Sequence, residues 1–192
     1  MTLKYFKDLS EAILAFLTAT GLLIGGGFAL MEYLEHKKQL QIETSMKFVS
    51  RFQDDHFLKS RQKLRRTWDD AYPQITSILL AKNVPQETIN RNYYEFVNEH
   101  ITKQGLQSDL ELIMEFFQET TYCVGAKLCA KDVITEFWGR EGEDFVSIYY
   151  PYICELRRKW NDDSIGEDIQ KFFIPTLDRS GWCPSTKNAS TK

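Results

Sequence analysis

Histidine, cysteine and paired carboxylates supply most protein chemistry, and in this sequence their spacing works against it. His36, His56 and His100 stand far apart, and none belongs to an HExxH helix or neighbours a serine or cysteine nucleophile pattern. Zinc takes ligand pairs about two to four residues apart. The four cysteines are Cys123, Cys129, Cys154 and Cys183; the closest two are separated by five residues, with no histidine nearby. They read as reduced thiols, three in a helical core and one in a tail. The acidic pairs Asp69-Asp70 and Asp162-Asp163 fall at element ends, where capping explains them. Gly25-Gly26-Gly27 lies in an apolar stretch, and the glycines at 139–142 lack the lysine and hydroxyl residue of a phosphate loop. No catalytic residue, cofactor or metal is expected.

Charge is more informative. The net charge of −3 names no partner, but from Glu35 to Arg66 nine basic residues face four acidic ones, while residues 67–192 carry 13 basic and 20 acidic. Lys59, Arg61, Lys63, Arg65 and Arg66 form the densest run. Two uses suit it: contact with anionic lipid headgroups, or a solvated helix face paired with the acidic surplus downstream. A straight helical stalk would carry Arg66 about 50 Å from a membrane, beyond electrostatic reach, so the second reading is favoured. The run lacks the interleaved aromatics of a nucleic-acid site, and no nucleic acid is expected.

The elements that would position these residues begin with an anchor. Ala12 to Met31 holds twenty positions without a charge. At about 1.5 Å per residue it matches the roughly 30 Å hydrocarbon core of a bilayer. Its nine strongly apolar residues favour insertion by about 3–5 kcal/mol in total. A cleaved signal peptide has an apolar region of only about 7–15 residues, and here apolar sequence continues past Ala19-Thr20-Gly21. Lys4 and Lys7 precede the span, whereas Lys37, Lys38, Lys47 and Arg51 follow it. That margin orients the N-terminal stub (1–11) outward and the domain into the cytoplasm, at the inner membrane. Reduced cysteines agree, and the Asn188-Ala189-Ser190 glycosylation pattern then has no meaning. Gly21, Gly25 and Ala29 form a small-residue stripe that would let two copies pair as a homodimer.

Beyond the span the expectation is all-α, with no alternating strands. A stalk and basic helical segment covers 32–72, continuous with the anchor. Pro73 closes it and opens a short apolar segment, Ile75 to Ala81. A bundle-like helical domain covers 73–175. Pro85 suits a helix start and Gly105 its end. Ser108 and Glu111 have capping-box spacing, and Gly125 ends the helix they open. Helices are expected over 130–138 and 143–160, separated by a turn at 139–142, the second with Pro151 inside it. A short helix spans 164–173, and from Thr176 a polar, disordered tail follows.

Met114-Glu115-Phe116-Phe117, Tyr122-Cys123-Val124, Lys127-Leu128-Cys129, Phe137-Trp138 and Tyr150-Pro151-Tyr152-Ile153 ahead of Arg157 resemble the uncharacterised bacterial family DUF4760, a domain of unknown function. The membrane helix and the basic stretch near Arg61 and Arg65 fit as well. Gln118 departs from it where an acid is expected after the aromatic pair, with Glu119 as the substitute. The resemblance implies a membrane-anchored cytoplasmic helical domain and no activity. The leading expectation is therefore a non-enzymatic, membrane-tethered interaction or regulatory module with an unidentified protein partner. A membrane-acting effector whose anchor oligomerises, and an enzyme of unfamiliar type, are the alternatives.

Overall fold

A computed structural model describes residues 2–175 and Cys183; for residues 2–15 and Ala19 it describes the backbone alone. The described residues form six helices: α1 Thr2–Phe52, α2 Asp55–Leu79, α3 Gln86–Gln104, α4 Gln107–Gly125, α5 Lys131–Trp160 and α6 Glu167–Phe173. No strand occurs among the described residues, as expected from the sequence.

Helix α1 has two characters. Phe16, Leu23 and Met31 are 72%, 78% and 66% exposed, in a stretch long and apolar enough to cross a membrane. Farther along the same helix, Ser45, Val49 and Phe52 are buried at helical spacing in the domain core. One unbroken helix thus carries both the apolar span and a wall of the domain. A turn at Gln53 and Asp54, tied to Ser50 and Arg51 carbonyls, ends it.

Helix α2 buries Phe57, Leu64, Trp68 and Ala71 at three- and four-residue spacing. Pro73 was expected to end the preceding helix, yet α2 runs through it to Leu79. Ile75 and Ile78 pack against the core and continue the stripe beyond the proline. That burial outweighs one lost backbone bond. Pro85 and Gly105 bound α3 as expected, and Gly105 takes a left-handed φ of 60°. The amide of Leu106 reaches back to Ile101 O (3.1 Å), closing a Schellman turn. The capping box does not form: Ser108 lies inside α4, whose N-cap is Leu106.

The turn expected at 139–142 is absent, and α5 is one helix of 30 residues. Gly142 serves close packing instead. A Cβ there would lie 2.4 Å from the Phe173 ring on α6. Pro151 lies inside α5 where α3 packs against it: Tyr93 donates to Ile148 O (3.1 Å) and Asn98 to Pro151 O (3.2 Å). At the centre, Phe52 stacks on Phe116 with centroids 4.3 Å apart, Trp138 meets Phe116 edge-on, and Phe117 meets Phe173. Residues from α1, α4, α5 and α6 therefore share one aromatic core.

Candidate functional site

Helix α2 packs mainly on α3 and α4, while α5 packs on α3, α6 and α1. The space between α2 and α5 is left as a cavity of about 280 Å³. Its walls are mostly apolar, with Phe52, Trp68, Phe117 and Tyr149 among them. Arg61 and Glu141 bridge it at 2.6 Å, and the Arg61 guanidinium lies 4.3 Å from the centroid of Phe52. Burial pushes the Tyr149 hydroxyl above its ordinary range; the Trp68 indole N–H approaches closely enough to oppose that shift, but not in hydrogen-bonding geometry. The cavity can hold a small apolar group. Arg61 and Glu141 are paired with each other, and Arg65, Asp69 and Asp144 also line the cavity.

The basic run does not form one patch. Helical spacing puts Arg61 and Arg65 on the cavity side, with Lys59, Lys63 and Arg66 around a separate groove beside Gln104. Lys63 is spoken for. It donates to Gly105 O (3.0 Å) and pairs with Asp109 (2.6 Å), which also accepts from Ser60 (2.7 Å). Burial alone would raise the Asp109 carboxyl, but the hydrogen bonds from Lys63 and Ser60 together outweigh it and hold the carboxyl low. On another face, burial and then the Glu111 carboxylate push the Tyr152 hydroxyl up, and burial and then Glu155 do the same to Tyr94.

The cysteines require a correction. They are not reduced thiols: Cys123 is bonded to Cys129 and Cys154 to Cys183, with Cα separations of 5.2 and 5.4 Å. The spacing of Cys123 and Cys129, too wide for a zinc knuckle, suits a bridge across the turn after α4, where Lys127 takes a φ of 58°. Most of the expected disordered tail lies outside the described residues, as does the Asn188 pattern. Cys183 is described, and it is tied to α5. Among the described residues no three His, Cys, Asp or Glu side chains gather to hold a metal ion.

Gly21, Gly25 and Ala29 lie on the exposed part of α1, and beyond the adjacent residues and the helix's own backbone no atom comes within 4 Å of a Cβ built on either glycine. Residues 19–173 match the model of the family described as domain of unknown function DUF4760. The chain belongs to that family. No curated protein and no solved structure matches it. The DUF4760 match begins within the apolar stretch of α1 and ends on the last residue of α6, so it takes in the later part of that stretch together with the helical domain. The residues that carried the resemblance are mainly packing residues: Phe116, Phe117, Trp138, Tyr150 and Tyr152 are buried. Arg157 Nε holds Ile165 O at 2.7 Å, fixing the link into α6. Glu119, standing in beside Gln118, makes an ion pair with Arg51 of α1. Sequence reading missed Ser45, which sits inside a polar-looking helix face. Its hydroxyl accepts the Ala130 amide at 2.9 Å and so fixes the start of α5 against α1.

Proposed function

We propose that this protein is a single-span membrane-tethered interaction or regulatory module without enzymatic activity, whose helical domain reports to or receives from its anchor. The observation that carries the reading is the unbroken α1, exposed and apolar near Leu23 and buried in the domain core at Val49 and Phe52. A flexible linker would decouple span from domain; a continuous helix with its end in the core couples them. The uncovered stripe of Gly21, Gly25 and Ala29 supports pairing of two anchors.

Orientation is weighed differently once the cysteines are paired. The lysine count favours a cytoplasmic domain by two charges. Two disulfides in the same domain favour an oxidising compartment, because such bonds are rare where thiols are kept reduced. We give the disulfides more weight and infer a domain on the outer face of the plasma membrane, with the N-terminal stub in the cytoplasm.

Alkaline carbonate extraction of membranes from expressing cells tests the span, and C-terminal fusions to alkaline phosphatase and to green fluorescent protein test the orientation. The expected result is a carbonate-resistant protein with an active phosphatase and a dark fluorescent fusion. Release by carbonate overturns the tether; the opposite reporter pattern overturns the orientation alone.

A further inference from the structure

The turn between α4 and α5 leans on α1 close to the span. Gln41 Nε2 donates to the Lys127 carbonyl at 2.7 Å, and Ser45 takes the Ala130 amide. The Cys123–Cys129 bridge closes the turn on itself. Between it and α1 lies a cleft of about 530 Å³, lined in part by Leu34, Lys37, Lys38, Lys127, Lys131 and Asp132. Four cations face one acid there. None of the four lysines makes an ion pair within the chain among the described residues; Lys131 lies 5.9 Å from the Phe172 ring centroid.

Position along the helix decides what this cleft meets. Counting from Met31 at about 1.5 Å per residue, Lys37 and Lys38 stand roughly 9–10 Å beyond the uncharged stretch. Headgroups occupy about 5–8 Å on each side of the hydrocarbon core, and lysine stems reach back toward them. Lys127, held at the level of Gln41, stands about 15 Å out, within a side chain's length and a Debye length of the same layer. Tyr33 and Leu34 are 63% and 55% exposed between the lysines and the span, an aromatic and an aliphatic residue at interfacial depth. The basic run at Lys59 to Arg66 lies beyond Phe52, farther from the span than Lys37 and Lys38.

We propose that this cleft binds an anionic phospholipid: the headgroup phosphate sits among Lys37, Lys38, Lys127 and Lys131, and the acyl chains run down past Leu34 along α1. The site rests on α1 being a span. It brings lysines that are some ninety residues apart in sequence to one phosphate, and it seats the domain against the membrane surface at the α4–α5 turn. Clustered lysines at headgroup depth attract anionic lipid, and for a domain on the outer face that lipid is the one held in the outer leaflet.

The test uses the full chain in nanodiscs of phosphatidylcholine, of phosphatidylcholine with added inorganic phosphate, and of phosphatidylcholine mixed with phosphatidylglycerol. Lysine acylation is read by mass spectrometry. Phosphatidylglycerol is expected to lower labelling of the four lysines about fivefold, leaving the exposed Lys59 and Lys82 unchanged, and free phosphate is expected to do nothing. In the Lys127→Glu, Lys131→Glu double variant, whose two sites are exposed, the protection of Lys37 and Lys38 is expected to disappear. Equal labelling in both lipids, protection by free phosphate, or Lys37 and Lys38 still protected in the double variant would each overturn the cleft. Carbonate release of the wild-type chain from membranes would overturn the span as well, which keeps the two failures apart.

Discussion

Asp109 stands at the contact of α2 with α4, and two donors from α2 meet there: the Ser60 hydroxyl and the Lys63 ammonium. Its folded pKa is lower than its unfolded one, about 3.9. The contact therefore stabilises the fold above that value and is lost as pH falls through the folded value. Lys63 is half exposed, which screens the charge part. Asp109→Asn is expected to cost about 1–2 kcal/mol at pH 7 and to make stability less steep on the acid side. Urea unfolding at pH 7 and at pH 3 checks both; an equal loss at the two pH values would show that titration plays no part. Gly142 makes a second case. Gly142→Ala sets a methyl group into the Phe173 ring, with an expected loss of about 1–3 kcal/mol. Gly125→Ala meets open space and is expected to be neutral or to gain up to about 1 kcal/mol. Thermal unfolding of both variants separates packing from turning, the role the sequence alone assigned to the glycines at 139–142. A glycine's neighbour across the fold is invisible in sequence, so Gly142 could not be read correctly there.

Elements with local signals were legible. Pro85 and Gly105 bound α3, because a fixed φ and a left-handed φ are properties of single residues; α4 ends on Gly125 with Ala126 as its cap, and the left-handed residue of that turn is Lys127. Tertiary burial overrode weaker signals. Pro73 does not stop α2 because Ile75 and Ile78 have a core to enter, and Ser108 does not cap α4 because Leu106, 1% exposed, already fixes the entry. The end of α1 was legible as a helix but not as a wall of the domain. Ser45 belongs to this scale: its hydroxyl accepts the one backbone amide that starts α5, across 85 residues of chain. Ser45→Ala leaves that buried N–H without its acceptor, at an expected cost of about 1–3 kcal/mol. Phe52→Ala removes the ring shared by Phe57, Phe116 and Trp138, at about 3–5 kcal/mol. Denaturant titration of the detergent-solubilised chain measures both. If Phe52→Ala unfolds like wild type, α1 is a passive tether and the coupling proposed for it fails.

At the scale of the molecule, the span and the two disulfides constrain each other. A helical domain of this size has a stability of about 5–15 kcal/mol. By loop entropy, the bridge between Cys154 and Cys183, which are 29 residues apart, contributes about 3.5 kcal/mol, and the one closing six residues about 2 kcal/mol. Together these make up a large share of that total, so the fold depends on which side of the membrane it occupies. The sequence carried this signal in its four cysteines, but pairing is a matter of three-dimensional proximity, and Cys154 sits within a helix far from its partner in sequence. Oxidised wild-type protein is expected to show no free thiols by maleimide labelling under denaturing conditions. The Cys154→Ser, Cys183→Ser pair is expected to lose more stability than the Cys123→Ser, Cys129→Ser pair. Reduction of the wild type should bring its unfolding midpoint below that of either pair, since it removes both bridges. Labelling of all four cysteines in protein taken directly from membranes would reverse the inference about orientation, and the lysine count beside the span would then decide it.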